Sequence, residues 1–412
     1  MGKRVFMFGA GASYADSGFD CPLDNSFLFH LAEKLKYEKP MFKKLEEFLA
    51  KLYDYDLWKK QGPKIGFEEI FTAVEMSLRW IEYLQEEHKT ENYKPRDLSL
   101  YNDLLGNLYL PIFIQYHTKF KMNGNKFIKE LKKQIEEIYY SLKYAMCKLS
   151  GKNLDSKGNL YSNFINKYVK NEGTDNNPSV IITTNYDLLL DNELIKNKLF
   201  NPKNGYFQIF WNDYKDYEKQ KYEMGGWKTV HKKFKQYWNK EMSKIILLKL
   251  HGSINWKFDQ KNNNNKNAND FTYERKINIG YKNSKRIAVA PLVIDKQLTF
   301  KPTSKFGRIW TKAFEELSKA DEIIFIGYSF PPADFLAKDL FRKAYIARMK
   351  NKRSKSFKIF YSVSTKKADE KDIDKDAYRT RSILNDIYSF ETHKEYLGDF
   401  KEALENLDKA QK

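Results

Sequence analysis

Residues 4–13 read RVFMFGAGAS, and this stretch decides the fold. Arg4 to Phe8 is a short apolar run, long enough for one buried strand. Gly9-Ala10-Gly11-Ala12-Ser13 follows at once. A buried strand that passes into a glycine turn and then a helix opens a nucleotide-binding α/β unit. Glycines let the backbone approach a diphosphate, and helix N-terminal amides face the anion. The same residues also suit a plain tight turn, in which Ser13 caps the helix instead of donating to phosphate.

Further along the chain the pattern recurs. Ser179 to Thr184 is apolar and β-branched, follows Pro178, and suits a buried parallel strand. It runs into Asn185-Tyr186-Asp187, and Leu188 to Leu190 begin a helix. Ile245 to Leu250 is a second such run, ending in His251-Gly252-Ser253. Glu322 to Ile326 is a third, ending in Gly327-Tyr328-Ser329. Ile287 to Leu292 and Phe357 to Val363 add two short strands. Helices are expected around Phe314 to Leu317 and over Asp334 to Arg348. Apolar strands alternating with helices predict an α/β protein built on a Rossmann-like, doubly wound parallel sheet. Ligands of such sheets bind beyond the carboxyl ends of the strands. The four polar clusters all fall there.

The remainder divides around this frame. Asp24 or Asn25 is placed to cap a helix carrying Phe27, Leu28, Leu31 and Leu35 on one side. Phe67, Ile70, Phe71, Val74 and Leu78 recur at helical spacing, as do Phe127, Leu131, Ile135, Ile138, Leu142 and Leu149. These predict an α-helical subdomain over 37–177, inserted between the α/β segments 1–36 and 178–365. A helical tail, 366–412, carries Leu397, Phe400, Leu404 and Leu407 at 3–4 spacing. The four consecutive asparagines within 260–270 mark a solvated loop.

Composition narrows the function. With 42% hydrophobic residues the chain can bury a sizeable core. Two cysteines in 412 residues exclude a disulfide framework and a four-cysteine zinc ribbon. No apolar run is long enough for a membrane span, and the first one is too short for a secretory signal. A cytoplasmic protein, away from membranes, is expected. The net charge of +19 invites nucleic acid, since lysines release counterions from phosphates. Charge spread over the whole surface explains the same figure. The aromatics between Tyr206 and Trp238 suit base stacking or packing in a core or oligomer interface. There is no G-x-x-x-x-G-K-[ST] loop and no G-x-S-x-G elbow, and neither Cys21 nor Cys147 has an evident base partner. The histidines lack metal-ligand spacing, so no metal is expected.

Asn185 can donate and accept, so it suits a ribose hydroxyl or an attacking water. Asp187 can bind a hydroxyl or orient its neighbours. Either residue also suits the cap of the following helix. His251 closes a very apolar strand, where an imidazole titrates near neutrality and can act as a general base. A core histidine bonded to backbone is the plainer reading. His30, His88, His117, His231 and His393 lack this setting.

Taken together, these motifs resemble the sirtuin superfamily. GAGAS at 9–13 is similar to the family's first NAD-binding motif, TTNYD at 183–187 to its Asn-containing motif, and LHGS at 250–253 to its catalytic histidine motif. GYS at 327–329 stands where the family has Gly-Thr-Ser. The order along the chain agrees. The departures agree with one another too. The zinc ribbon of deacetylating members cannot be built, and Asp20-Cys21-Pro22-Leu23 replaces their Pro-Asp-Phe-Arg. IFIGYSFPPADFL at 324–336, with Pro291 to Ile294 before Lys296, resembles the bacterial sirtuin-like NAD hydrolases of anti-phage defence.

The resemblance implies an NAD+ hydrolase that depletes NAD in infected cells. NAD is then substrate, its diphosphate lying on Gly9, Ala10, Gly11, Ala12 and Ser13, with Thr184, Gly327 and Ser329 at the rest of the cofactor. His251, Asn185 and Asp187 form the catalytic set. ADP-ribosyl transfer, deacetylation, NAD sensing and a nucleic-acid-binding subunit are the competing readings. A homo-oligomer is implied, with a HerA-type ATPase or a short Argonaute as partner.

Overall fold

The computed structural model describes residues 3–87, 124–151, 156–170, 179–200, 205–206, 243–258, 271–273, 287–289, 305–331, 334–350, 357–363, 370–388 and 392–410. Two compact units emerge from the contacts. One comprises Met1–Cys21, Asn153–Ile277 and Arg286–Lys412; the other comprises Pro22–Lys152 and Asn278–Lys285. The divisions thus fall at Cys21 and Asn153, where the sequence reading drew them at 36 and 177.

The larger unit is built on six parallel strands: β1 (Arg4–Phe8), β2 (Ser179–Thr183), β3 (Ile245–Lys249), β7 (Glu322–Ile326), β8 (Lys358–Ser362) and β9 (His393–Tyr396). They lie in the order β3-β2-β1-β7-β8-β9. Val5 pairs with Val180 on one side and with Ile323 on the other. Side chains alternate between faces along a strand. Phe6 and Phe8 therefore share one face, where Phe6 meets Phe164 edge-on at 4.8 Å and Phe8 meets Phe400 at 5.8 Å. Val5 and Met7 are fully buried on the other. Each such side chain contributes about 1.5–3 kcal/mol of burial free energy. Covering both faces explains why the strands read as unbroken apolar runs.

Two helix groups provide that cover. α1 (Ala10–Asp16), α6 (Leu160–Phe164), α7 (Leu189–Lys196) and α11 (Phe400–Ala410) pack together; α8 (Lys305–Lys319), α9 (Phe335–Lys350) and α10 (Glu370–Ile387) form the second group. The sheet is therefore doubly wound, as expected from the sequence.

Three features depart from expectation. The tail is not purely helical, because β9 joins the sheet beside β8. Its sequence, HKEY, is short, charged and half exposed, which suits an edge strand and hides the strand pattern. The strand at Ile287 is β6 (Ile287–Val289), and it does not join the parallel sheet. It pairs antiparallel with β4 (Gly252–Phe258), which also pairs with β5 (Phe271–Tyr273). In the smaller unit, which holds α2 (Phe27–Lys34), α3 (Lys43–Tyr53), α4 (Phe67–Glu87) and α5 (Gly124–Ser150), Asp24 does not cap α2. Its carboxylate accepts the Glu68 amide at 2.7 Å, in the first turn of α4. Phe67, Ile70, Phe71 and Val74 are buried as their spacing implies.

Candidate active site

Strand order runs β1-β2-β3 in one direction and β7-β8-β9 in the other, so the switch point lies between β1 and β7. Gly9 donates its amide to Ile326 O at 3.0 Å, and Gly11 to Gly327 O at 2.9 Å. A Cβ on Gly9 would lie 2.5 Å from Gly327 O. The glycines thus allow two strand-end loops to touch. Gly327 adopts φ +65°, and a Cβ there would overlap the Ala12 amide. Gly327→Ala is expected to cost more than about 2 kcal/mol, since the left-handed backbone alone costs roughly 1–2. A urea midpoint unchanged from wild type would reject this.

The Gly9 and Gly11 amides donate into the β7 side, and Ala12 donates back to Gly9 O at 3.0 Å. Ala10 is the exposed position of the turn, while Thr184 and Ser329 are half-buried.

Asn185 is held from both ends. Thr183 Oγ1 donates to Phe8 O at 2.9 Å and accepts the Asn185 amide at 3.0 Å. The Asn185 side chain donates Nδ2 to Gly9 O and to Ser13 Oγ, both at 2.9 Å. Its Oδ1 is buried and has no hydrogen-bond partner among the described residues. Ser13, fully buried, also meets the Tyr161 hydroxyl at 3.0 Å. Ser13 therefore helps to hold the Asn185 side chain in place.

Asp187 lies 5% exposed, with Oδ1 accepting the Leu189 amide at 3.0 Å, so it closes the first turn of α7. Burial raises its carboxyl pKa above the ordinary 3.8, against the opposing pull of the Lys249 charge. Lys249 donates to Asp187 O at 2.5 Å and pairs with Asp191 at 3.0 Å, both charges almost fully buried. A raised carboxyl keeps its proton longer in the native state than in the unfolded chain. Stability is then lost as pH rises from the unfolded value through the folded one. Asp187→Asn retains the helix-capping oxygen and removes this titration. Its stability relative to wild type should climb as the pH rises above the ordinary carboxyl value of 3.8. Urea unfolding across that range checks the slope, and a flat or falling difference would count against it.

His251 is 1% exposed, just beyond β3. Its Nε2 lies 3.1 Å from Asp334 Oδ2. The rings of Tyr186 and Trp310 flank it, each with its centroid 6.2 Å away. Trp310 is fixed by donating Nε1 to Leu250 O at 2.9 Å. Gly252 and Ser253 lead straight into β4, and Ile254 donates to Tyr186 O at 3.1 Å.

All four clusters therefore meet. Asn185 reaches the glycine turn, the glycine turn reaches Gly327, and Tyr186 stands beside His251. Asp334, from the loop after β7, closes the set. Sequence reasoning missed Asp334, taking it only as a helix start, and missed Tyr161 and Trp310. A carboxylate three residues beyond Pro331, after a strand-end Gly-Tyr-Ser, was the available signal. Tyr206 is buried against Trp256, its ring 5.1 Å away, and bonds Asp191; it packs the core rather than a nucleic acid. The other aromatics up to Trp238 lie outside the described residues, as do Pro291 to Lys296, His88, His117 and His231.

Among the described residues, no group of three or more His, Cys, Asp or Glu is placed to hold a metal, and no helix is long and apolar enough to cross a membrane. A search of the curated proteins returns no match. Residues 179–383 match the model of the SIR2-like domain family, so the half of the chain that carries Asn185, His251 and Asp334 is similar to SIR2-like proteins.

Proposed function

We propose that the chain is an NAD+ glycohydrolase, releasing nicotinamide and ADP-ribose at the site formed by Asn185 and His251. The SIR2-like match supports NAD-related activity at a coarser level. The observation that carries the proposal is the buried Oδ1 of Asn185, without a partner among the described residues, on a side chain bonded to the Gly9 turn that borders the topological switch point. Buried acceptors ordinarily have partners, so this oxygen suits a ribose hydroxyl or the attacking water.

The reaction breaks the bond between ribose C1′ and the nicotinamide nitrogen, and the bonding pair leaves with nicotinamide. A water oxygen bonds to C1′, and its proton passes to His251. The ribose passes through a cationic, oxocarbenium-like state, so the site must hold the sugar while positive charge develops. Asn185 orients ribose or water, Asp187 secures the β2 end behind it, and Ala10, Thr184 and Ser329 line the route to the rest of the dinucleotide. Two cysteines cannot supply a zinc ribbon, which favours water over an acetylated peptide as acceptor. In the same proposal NAD loss serves anti-phage defence, and self-association, a HerA-type ATPase or a short Argonaute gates it.

The products test the chemistry. Chromatography after incubation with NAD+, with and without an acetylated peptide, should give nicotinamide and free ADP-ribose at one rate in both. Peptide-dependent turnover would indicate deacetylation. ADP-ribose covalently attached to protein would indicate transfer.

A further inference from the structure

The loop after β7 contains a device that the proposed chemistry does not by itself require. Asp334 is buried together with His251, both side chains wholly shielded from solvent. A buried carboxylate needs donors. Among the described residues Asp334 meets His251 Nε2 at 3.1 Å and the Tyr328 hydroxyl at 2.7 Å on Oδ2, and the Ala337 amide at 3.3 Å on Oδ1. The Oδ1 contact is an ordinary helix cap for α9. The Oδ2 pair is not, since a cap has no use for an imidazole from another strand.

The loop is bent to deliver this carboxylate. Phe330 is fully buried at φ +52°, a region that bulky residues avoid. Asp334 donates its amide back to Pro331 O at 3.0 Å, which tightens the turn. Tyr328 packs against Phe330 edge-on at 4.7 Å, so the ring that carries the hydroxyl is fixed as well. Strain of this kind persists only where the surroundings enforce it.

We infer that Asp334, steadied by Tyr328, is a positioning residue that holds His251 as the Nε2–H tautomer and makes Nδ1 its proton-accepting atom. A carboxylate can only accept, so the nitrogen facing it must carry the hydrogen. The ring's other nitrogen is then the base. The role in turnover rests on the NAD+ hydrolase reading; the tautomer itself does not.

Asp334→Asn separates this role from the cap. Asparagine caps helices as well as aspartate does, so α9 keeps its start. Its amide nitrogen can donate toward the ring, which favours the opposite tautomer. In 15N NMR of the full chain labelled at histidine, wild-type His251 should show its ring proton on Nε2, and Asp334→Asn should move it to Nδ1. With NAD+ as substrate, kcat should fall about 100-fold, as for loss of a working general base, with KM within about threefold. Tyr328→Phe should lower kcat by a smaller factor and leave the tautomer unchanged. A wild-type proton on Nδ1, or an Asp334→Asn protein with unchanged tautomer, would overturn the assignment. No turnover by wild type alongside the expected spectra would instead reject the hydrolase reading and leave the positioning role supported.

Discussion

Replacing His251 with alanine is expected to lower NAD turnover by about 1,000-fold, within the range for removal of a general base. The imidazole is flanked by Tyr186 and Trp310 and tied to Asp334, so its orientation is fixed before any substrate arrives. Alanine also strands a buried carboxylate, which endangers the fold. His251→Gln guards against that confusion, because its side-chain amide still offers Asp334 a donor but no titratable base. Both variants should lose activity, and the glutamine protein should melt close to wild type. Retained activity in the glutamine variant would remove His251 from the chemistry.

The second large effect concerns stability. Lys249 and Asp191 are almost fully buried, and the Tyr206 hydroxyl bonds the same carboxylate. Asp191→Ala leaves an ammonium ion in the core with the Asp187 carbonyl as its remaining acceptor among the described residues. Breaking a buried pair from one side costs about 3–5 kcal/mol, far more than the pair's net worth. Removing both charges together, as Asp191→Leu with Lys249→Met, should recover most of that loss. A double-mutant cycle in urea measures the coupling. Single and double variants of equal stability would contradict this picture. Lys249 sits one position before Leu250 and two before His251, so the cycle also reports how firmly the end of β3 is held.

The parts of this architecture carried by local pattern were legible in the sequence. The strands at Arg4, Ser179, Ile245, Glu322 and Phe357 are continuous apolar runs because helices cover both faces of the sheet. Two strands were obscured by their surroundings. β9 lies at a solvated edge and needs no apolar pattern, and β4 begins inside the His-Gly-Ser motif, where the polar residues drew a functional reading. The site was legible as four clusters and illegible as a network. Asn185 and His251 stood out by position, but the contacts of Ser13, Gly9 and Gly11 did not. Their actual partners come from residues far away in sequence: Gly9 and Gly11 meet the β7 end more than 300 residues on, and Ser13 meets Asn185 and Tyr161. Asp334 escaped notice for the same reason, since its capping role is local and its imidazole partner lies 83 residues earlier. The +19 charge acquires no dedicated site among the described residues.

Direct assay of the purified full chain with NAD+, beside Asn185→Ala and His251→Gln, tests the central claim. Nicotinamide and ADP-ribose should appear in equal amounts with wild type, and both variants should fall to near background while still folded. NAD+ that is bound but never consumed by wild type, or wild-type rates in both variants, would contradict it.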